Sequence, residues 1–325
     1  MFSTLLIHNC ATIGGRSTTI TLKVSPSFPG AIWFRERRGE PAPETWDSKD
    51  VSKANGTLEL SLLGRIAEGR IGVTYIAKVV SATHAPLVPQ ARLPDTVCLK
   101  FAKPKFSRSL AREAWVYEQL DSLQGISIPN FYGFFSSSMV EQPAFPNLEF
   151  TPWTDRKHQI EEIDSPPSDI DEFPSPDWLA DDVPPYPGDA PSYEDPSGYQ
   201  KTSPWCRWVR PQENPTISVI VLEHLGETCT GNRRNDVLAA VREVLEDIAE
   251  HGLIHSNVAA WNVLSLRDRA DSQARYCQRH DTVHPWRIID FDPCGMVEMN
   301  NRNPHGRILL EMAGKVFPTS PGFSF

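Results

Sequence analysis

Two short stretches carry polar residues that a core would not tolerate. In His251–Leu264, Asn262 stands directly before the apolar pair Val263-Leu264, and in Ile288–Asp292, Asp290 stands directly after Ile288-Ile289. An Asn and an Asp at neighbouring strand ends make a site for a hard cation, which takes oxygen ligands and keeps several waters. A third polar residue sits in Val97-Cys-Leu-Lys-Phe101, where Lys100 interrupts an apolar strand. Such a lysine needs a carboxylate, a phosphate or an escape to solvent. The helix expected from Ser107 or Ser109 to about Leu123 supplies a carboxylate. At ~100° per residue, Leu110, Ala114, Val116, Tyr117 and Leu120 form one apolar arc, with Glu113 near its centre and Glu118 at its edge. A carboxylate inside a buried stripe calls for a buried cation, so Glu113 rather than Glu118 is expected to meet Lys100.

Several elements must hold these residues. Leu58–Leu63 begins a run of strands, and Ile66–Val79 reads as two strands around a turn with Gly69 and Gly72. Ile217–Leu222 is an apolar run typical of a buried strand, and it ends in Glu223-His-Leu-Gly-Glu227. Asn235–Glu250 is the clearest helix, with Val237, Leu238, Val241, Val244, Leu245 and Ile248 on one face. Asn235 can cap its start, and Gly252 can end it. Upstream, Thr18–Val24 alternates like a strand, Ala31–Phe34 reads as another, and Asn55-Gly56 signals a tight turn. Beyond Asp292 only Arg307–Gly314 has a helical pattern, of about two turns.

In order along the chain, these motifs resemble those of the protein kinase-like superfamily, in a divergent fungal-type form with pseudokinase character. Ala67-x-Gly69-x-x-Gly72 resembles the glycine-rich loop with Ala67 in place of the first glycine and Thr74 in place of its valine. Val97–Lys100 resembles V-A-I-K. His255-Ser-Asn257 with Asn262 resembles H-R-D-x-x-x-x-N, and Asp290-Phe-Asp292 resembles D-F-G. The resemblance covers roughly residues 58–140 and 216–300. It implies an α+β, two-lobed protein-kinase-like fold with a β-rich N-lobe carrying one helix and a truncated helical C-lobe. The implied organisation is an N-terminal extension with strands (1–57), the N-lobe (58–140), an acidic insertion (141–215), and a hinge strand with C-lobe (216–325).

The resemblance also implies roles. ATP would be the nucleotide, with Gly69, Gly72, Lys100 and Glu113 around its phosphates and Glu223 and Leu225 along the adenine edge. Asn262 and Asp290 would hold Mg²⁺, and His255 and Asn257 would lie in the catalytic loop. Asn257 occupies the position of the catalytic Asp. It is nearly isosteric but cannot take a proton at pH 7, so the expected loss is on the order of 10² to 10⁴ in rate. Asp292 replaces the glycine and removes backbone freedom there. The expected function is ATP/Mg²⁺ binding with impaired phosphotransfer and a role in interactions. The alternative is a divergent active phosphotransferase acting on protein or small-molecule hydroxyls.

Composition fits a folded chain with one irregular segment. Of 325 residues 40% are hydrophobic, and no run reaches the ~18 apolar residues that a membrane helix needs. The start, Met1–His8, has no basic n-region and too short an apolar run for a signal peptide, so a cytoplasmic or nuclear location is expected. From Glu141 to Thr216 there are 16 acidic and 5 basic residues, a net of −11 in a chain of net −9, together with 15 of the 29 prolines. Such a segment buries too little apolar surface to offset its ordering entropy. It is expected to be a loosely packed spacer or, through Trp153, Trp178, Trp205 and Trp208, a docking element for a protein partner. No nucleic-acid or membrane partner is expected. The six cysteines are scattered without a CxxC and read as reduced thiols. His251/His255 and His280/His284 have i, i+4 spacing, but without an evident third ligand they read as positioning histidines rather than a zinc site.

Overall fold

The computed structural model describes residues 1–29, 47–83, 93–142, 147–154, 203–205, 208, 214–229, 235–255, 258–267, 273–292 and 294–296. Outside them fall the strand expected at Ala31–Phe34, Asn257, most of the acidic insertion and the helical turns expected at Arg307–Gly314.

The two-lobed kinase-like expectation is corrected by the sheet. Seven strands close into a barrel: β1 (Thr4–Ile13), β2 (Arg16–Val24), β3 (Thr57–Glu68), β4 (Gly72–Thr83), β5 (Thr96–Ala102), β6 (Phe131–Ser138) and β8 (Thr216–Glu223). The ring runs β2-β6-β8-β5-β4-β3-β1 and shuts where β1 pairs with β2, while β7 (Leu148–Phe150) attaches outside the ring to the end of β1. Pairing is antiparallel except between β1 and β3, which run parallel from Thr4↔Thr57 to His8↔Ser61. Among the described residues there are three α-helices, α1 (Ser107–Gln119), the single turn α2 (Thr151–Thr154) and α3 (Asn235–Glu250). The fold is therefore mostly β around a closed barrel. The reason lies in the N-terminal hairpin: β1 and β2 cover the edges of β3 and β6, which would otherwise expose unpaired backbone groups.

Strand alternation divides the interior in two. Leu5, Ile7, Ile20, Leu22, Leu58, Leu60, Val97, Leu99, Phe101, Val219 and Val221 fill the barrel. The alternate residues of β8, Ile220 and Leu222, face outward into a second cluster with Trp115 and Tyr117 of α1 and Val241, Val244, Leu245 and Ile248 of α3. Strand β8 is thus buried on both faces, which explains its continuous apolar run. Helix α1 is buried nearly all round because it lies between the barrel wall and this second cluster. It starts at Ser107 without a side-chain cap, because the capping position falls on Phe106, which has no side-chain acceptor, while the Ser107 hydroxyl donates to Thr216 O at 3.3 Å. It ends at Gln119, short of Leu123, where a 3₁₀ turn over Asp121–Leu123 takes over. Helix α3 ends where Gly252 adopts φ +73°, the left-handed conformation that a residue with a Cβ resists.

The tryptophans at the ends of the acidic insertion anchor it to the fold. The Trp153 indole donates to Ala102 O at 2.9 Å. Trp205 is buried, donates to Pro26 O at 2.8 Å, and lies 5.7 Å from the Phe134 ring.

Glu118, at the edge of the α1 stripe, turns away from Lys100. It accepts from Ser27 Oγ at 2.6 Å and from Lys49 N at 3.2 Å. Burial pushes its carboxyl up from 4.5 to about 6, against the pull of Ser27 and Lys49. Across that window the folded chain binds more protons than the unfolded one, so this group's contribution is present below about pH 4.5 and is lost as pH rises through about 6. Glu118→Gln lacks that loss. In urea unfolding, its stability relative to wild type is expected to improve by about 2 kcal/mol between pH 4.5 and pH 7. A gap that stays constant with pH would contradict the assignment.

Candidate functional site

The site forms outside the barrel wall, where three elements meet. Val97, Leu99 and Phe101 of β5 point into the barrel, so the period of two turns Lys100 outward. Helix α1 crosses this outer face, and its phase brings Glu113 to Lys100, with Nζ 2.6 Å from Oε2. The third element is a hairpin of β10 (Val263–Ser265) and β11 (Trp286–Ile288), in register Val263↔Ile288. That register sets Asn262 beside the residues following β11, and the Ile289 N–H donates to Asn262 O at 2.9 Å. Asp290, the next residue, meets Lys100 with Nζ 2.5 Å from Oδ1.

Exposure is graded across this triad. The side chain of Glu113 is 0% exposed, that of Lys100 13% and that of Asp290 33%. Glu113 therefore forms the floor and Asp290 the approachable edge. The two carboxylates keep the Lys100 ammonium protonated, raising its pKa despite burial. Burial works against the charge on Asp290, yet Lys100 holds its pKa below the usual carboxylate range. Burial raises Glu113 and the charge of Asp290 adds to the rise, while Lys100 opposes it. At neutral pH Lys100 is a cation and Asp290 an anion, both at the open side of the cluster. Asp290 adopts φ +65°, an uncommon conformation for a non-glycine residue that costs on the order of 1 kcal/mol and aims the carboxylate back at β5.

His255 ends β9 (Leu253–His255), which pairs with β12 (Cys294–Met296). It is fully buried, and its Nε2 lies 3.2 Å from Ile289 O. It thus braces the backbone just before Asp290 from below. Phe291 is buried edge-on against Tyr117 at 4.9 Å and pins the backbone after Asp290.

The remaining expected site residues fall as follows. Gly69 is exposed in the β3–β4 turn, and a Cβ there would meet nothing within 4 Å. Gly72 is different, since a Cβ would lie 2.5 Å from Phe101 O. Close packing of β4 on β5 is enough to account for that glycine. Arg70, between them, reaches across to Asp292 Oδ2 at 2.5 Å and ties the turn to the far side of the site. Glu223 closes β8, and its carboxylate accepts from Asn130 N at 3.1 Å and Asn130 Nδ2 at 2.9 Å. Leu225, two residues on, is buried. Asn262 is buried beside Asp290.

Lys100 with Asp290, and Asn262 alongside, can hold a phosphorylated ligand and its divalent cation. The ammonium suits phosphate oxygens, and the carboxylate and amide oxygens suit a hard metal.

No protein-family model matches the chain, and no curated protein matches it. Among the described residues no helix is long and apolar enough to cross a membrane.

Proposed function

We propose that this chain binds ATP with Mg²⁺ at the Lys100–Glu113–Asp290 cluster and transfers phosphate slowly or not at all. The observation that carries this reading is the buried lysine held between two carboxylates, one at the floor and one at the open edge. Glu113 keeps Lys100 extended toward the opening, and Lys100 takes phosphate oxygens. Asp290 and Asn262 would hold the Mg²⁺, whose charge neutralises the phosphates. His255 and Phe291 position Asp290 and touch no ligand in this scheme. Asn257 stands where the motif order requires a proton acceptor, and a neutral amide does not accept the proton of a substrate hydroxyl. A protein partner, if the insertion docks one, would use the stretch between the anchored Trp153 and Trp205.

The test is calorimetric titration of ATP into the full chain with and without Mg²⁺, followed by a phosphate-release assay on the same sample. Binding is expected only with the metal, and Asp290→Ala is expected to abolish it. Asn257→Asp is expected to raise ATP turnover by about two orders of magnitude. Failure to bind MgATP would overturn the reading. Fast phosphate transfer by the unmutated chain, lost in Asp290→Ala, would replace it with an active phosphotransferase.

A further inference from the structure

A second cluster lies between α3 and the segment that leads into β11. Cys277, His280 and His284 follow one another in the segment before β11, and Asp247 faces them from α3. One ligand atom from each lies within 4.8 Å of all the others. Asp247, Cys277 and His284 are buried, and His280 is half-buried.

The shorter separations suit ligand atoms gathered around one ion. Zinc bonds of ~2.3 Å to sulfur and ~2.0–2.1 Å to nitrogen or oxygen, at tetrahedral angles, place two nitrogens about 3.3 Å apart and a sulfur about 3.5 Å from either. Here His280 Nδ1 and His284 Nε2 are 3.3 Å apart, and Cys277 Sγ is 3.5 Å from His280 Nδ1. Asp247 Oδ2 is 3.1 Å from His284 Nε2 and 3.6 Å from Cys277 Sγ, and Asp247 Oδ1 is 3.4 Å from His280 Nδ1.

The outer nitrogens supply a second, independent argument. His280 Nε2 lies 3.3 Å from Glu246 Oε2, and His284 Nδ1 lies 3.4 Å from Glu243 Oε2. The carboxylate hydrogen-bonded behind His280 places its N–H on the outer nitrogen and turns the inner lone pair toward the centre, as in carboxylate–histidine–zinc arrangements, while Glu243 lies near His284 Nδ1 without hydrogen-bonding it. Two imidazole nitrogens, a carboxylate and a thiol sulfur thus face one point, a donor set that a soft-ligand cation can gather. Ser127 donates to Asp247 Oδ2 at 2.5 Å and holds that carboxylate in place.

We infer that Asp247, Cys277, His280 and His284 form a structural zinc site. A thiolate with two imidazoles selects zinc over Mg²⁺ or Ca²⁺, and four protein ligands leave no position for substrate. The ion staples the 277–284 segment to α3. Strand β11 begins two residues after His284, and Asp290 follows it, so the staple sets the approach of the functional hairpin. This inference is independent of what the Lys100 cluster binds.

The test is metal analysis of the full chain purified without chelator, followed by cobalt substitution. About one zinc per chain is expected, and its removal by a chelator should lower Tm, with zinc but not Mg²⁺ restoring it. Cobalt in the wild type should show a thiolate-to-metal charge-transfer band, and Cys277→Ser should lose that band while still binding cobalt through the other three ligands. Glu246→Gln, which leaves all four ligands in place, should weaken zinc binding by about 10-fold. Zinc well below stoichiometric together with a Tm indifferent to chelator would overturn the site. So would full zinc content in a Cys277→Ser/His284→Ala chain, or a cobalt spectrum without the thiolate band.

Discussion

Lys100→Met is expected to destabilise the fold by about 3–5 kcal/mol at pH 8. The substitution keeps the length and apolar stem of the side chain but removes the cation that pairs with both Glu113 and Asp290. Asp290, at the open edge, turns part of its charge to water. Glu113, with no exposed side-chain surface, has no such route and takes a proton instead. The damage is therefore pH-dependent. With its cation gone, the folded-state pKa of Glu113 rises further above its unfolded value, so the folded variant binds more protons than the unfolded chain and loses stability as pH rises. Urea unfolding of the variant at pH 6 and pH 8 should show the larger deficit at pH 8. Glu113→Gln combined with Lys100→Met should recover part of the loss, because the orphaned charge is gone. A deficit under about 1 kcal/mol at both pH values would mean that the triad is not the buried electrostatic unit described above.

Arg287→Leu is expected to cost about 3–4 kcal/mol at neutral pH. Arg287 is fully buried within β11, and no salt bridge joins it to a carboxylate among the described residues. Its guanidinium instead donates to three main-chain carbonyls: Nη1 to His284 O and Trp286 O, each at 2.8 Å, and Nη2 to Gly125 O at 2.7 Å. Burial lowers its pKa to about 10, which leaves it charged at neutral pH. Removing it takes a donor from His284 O, Trp286 O and Gly125 O at once and disconnects the Gly125 turn from the hairpin that carries Asp290. That turn has little room to compensate. Gly125 sits at φ +72°, and its carbonyl also receives Arg275 N at 2.7 Å. Arg287→Lys should recover less than half of the loss, because one ammonium cannot span the carbonyls that a planar fork reaches. Thermal or urea unfolding measures both variants, and equal stability of Arg287→Leu and wild type would refute the role.

Local periodicity determined a good deal of this chain by itself. Alternation in Val97–Phe101 sets Lys100 opposite the barrel-facing Val97, Leu99 and Phe101. The 100° step of the following helix sets Glu113, and not Glu118, against it. The ends of α3, the β3–β4 turn and the buried character of β8 are legible for the same reason, since each depends on neighbours a few residues away. Tertiary structure decided what depends on distant partners. Thr18–Val24 reads as a strand, but nothing in its residues says that β1 pairs with β2 and runs parallel to β3. That choice turns the expected β-rich lobe of a two-lobed fold into a closed barrel. The phosphate-type reading of Gly72 met a similar limit, because the carbonyl that crowds it belongs to Phe101 on another strand. Cys277 stands three residues before His280, a third ligand that the reading of scattered thiols and positioning histidines passed over. The fourth, Asp247, looks like one more acid on a helix until folding turns it toward them across 30 residues of chain. Period and phase are written in consecutive residues. Sheet closure and metal-ligand geometry exist only once segments far apart in sequence share one packing, and the free energy that selects that packing is spread over both cores.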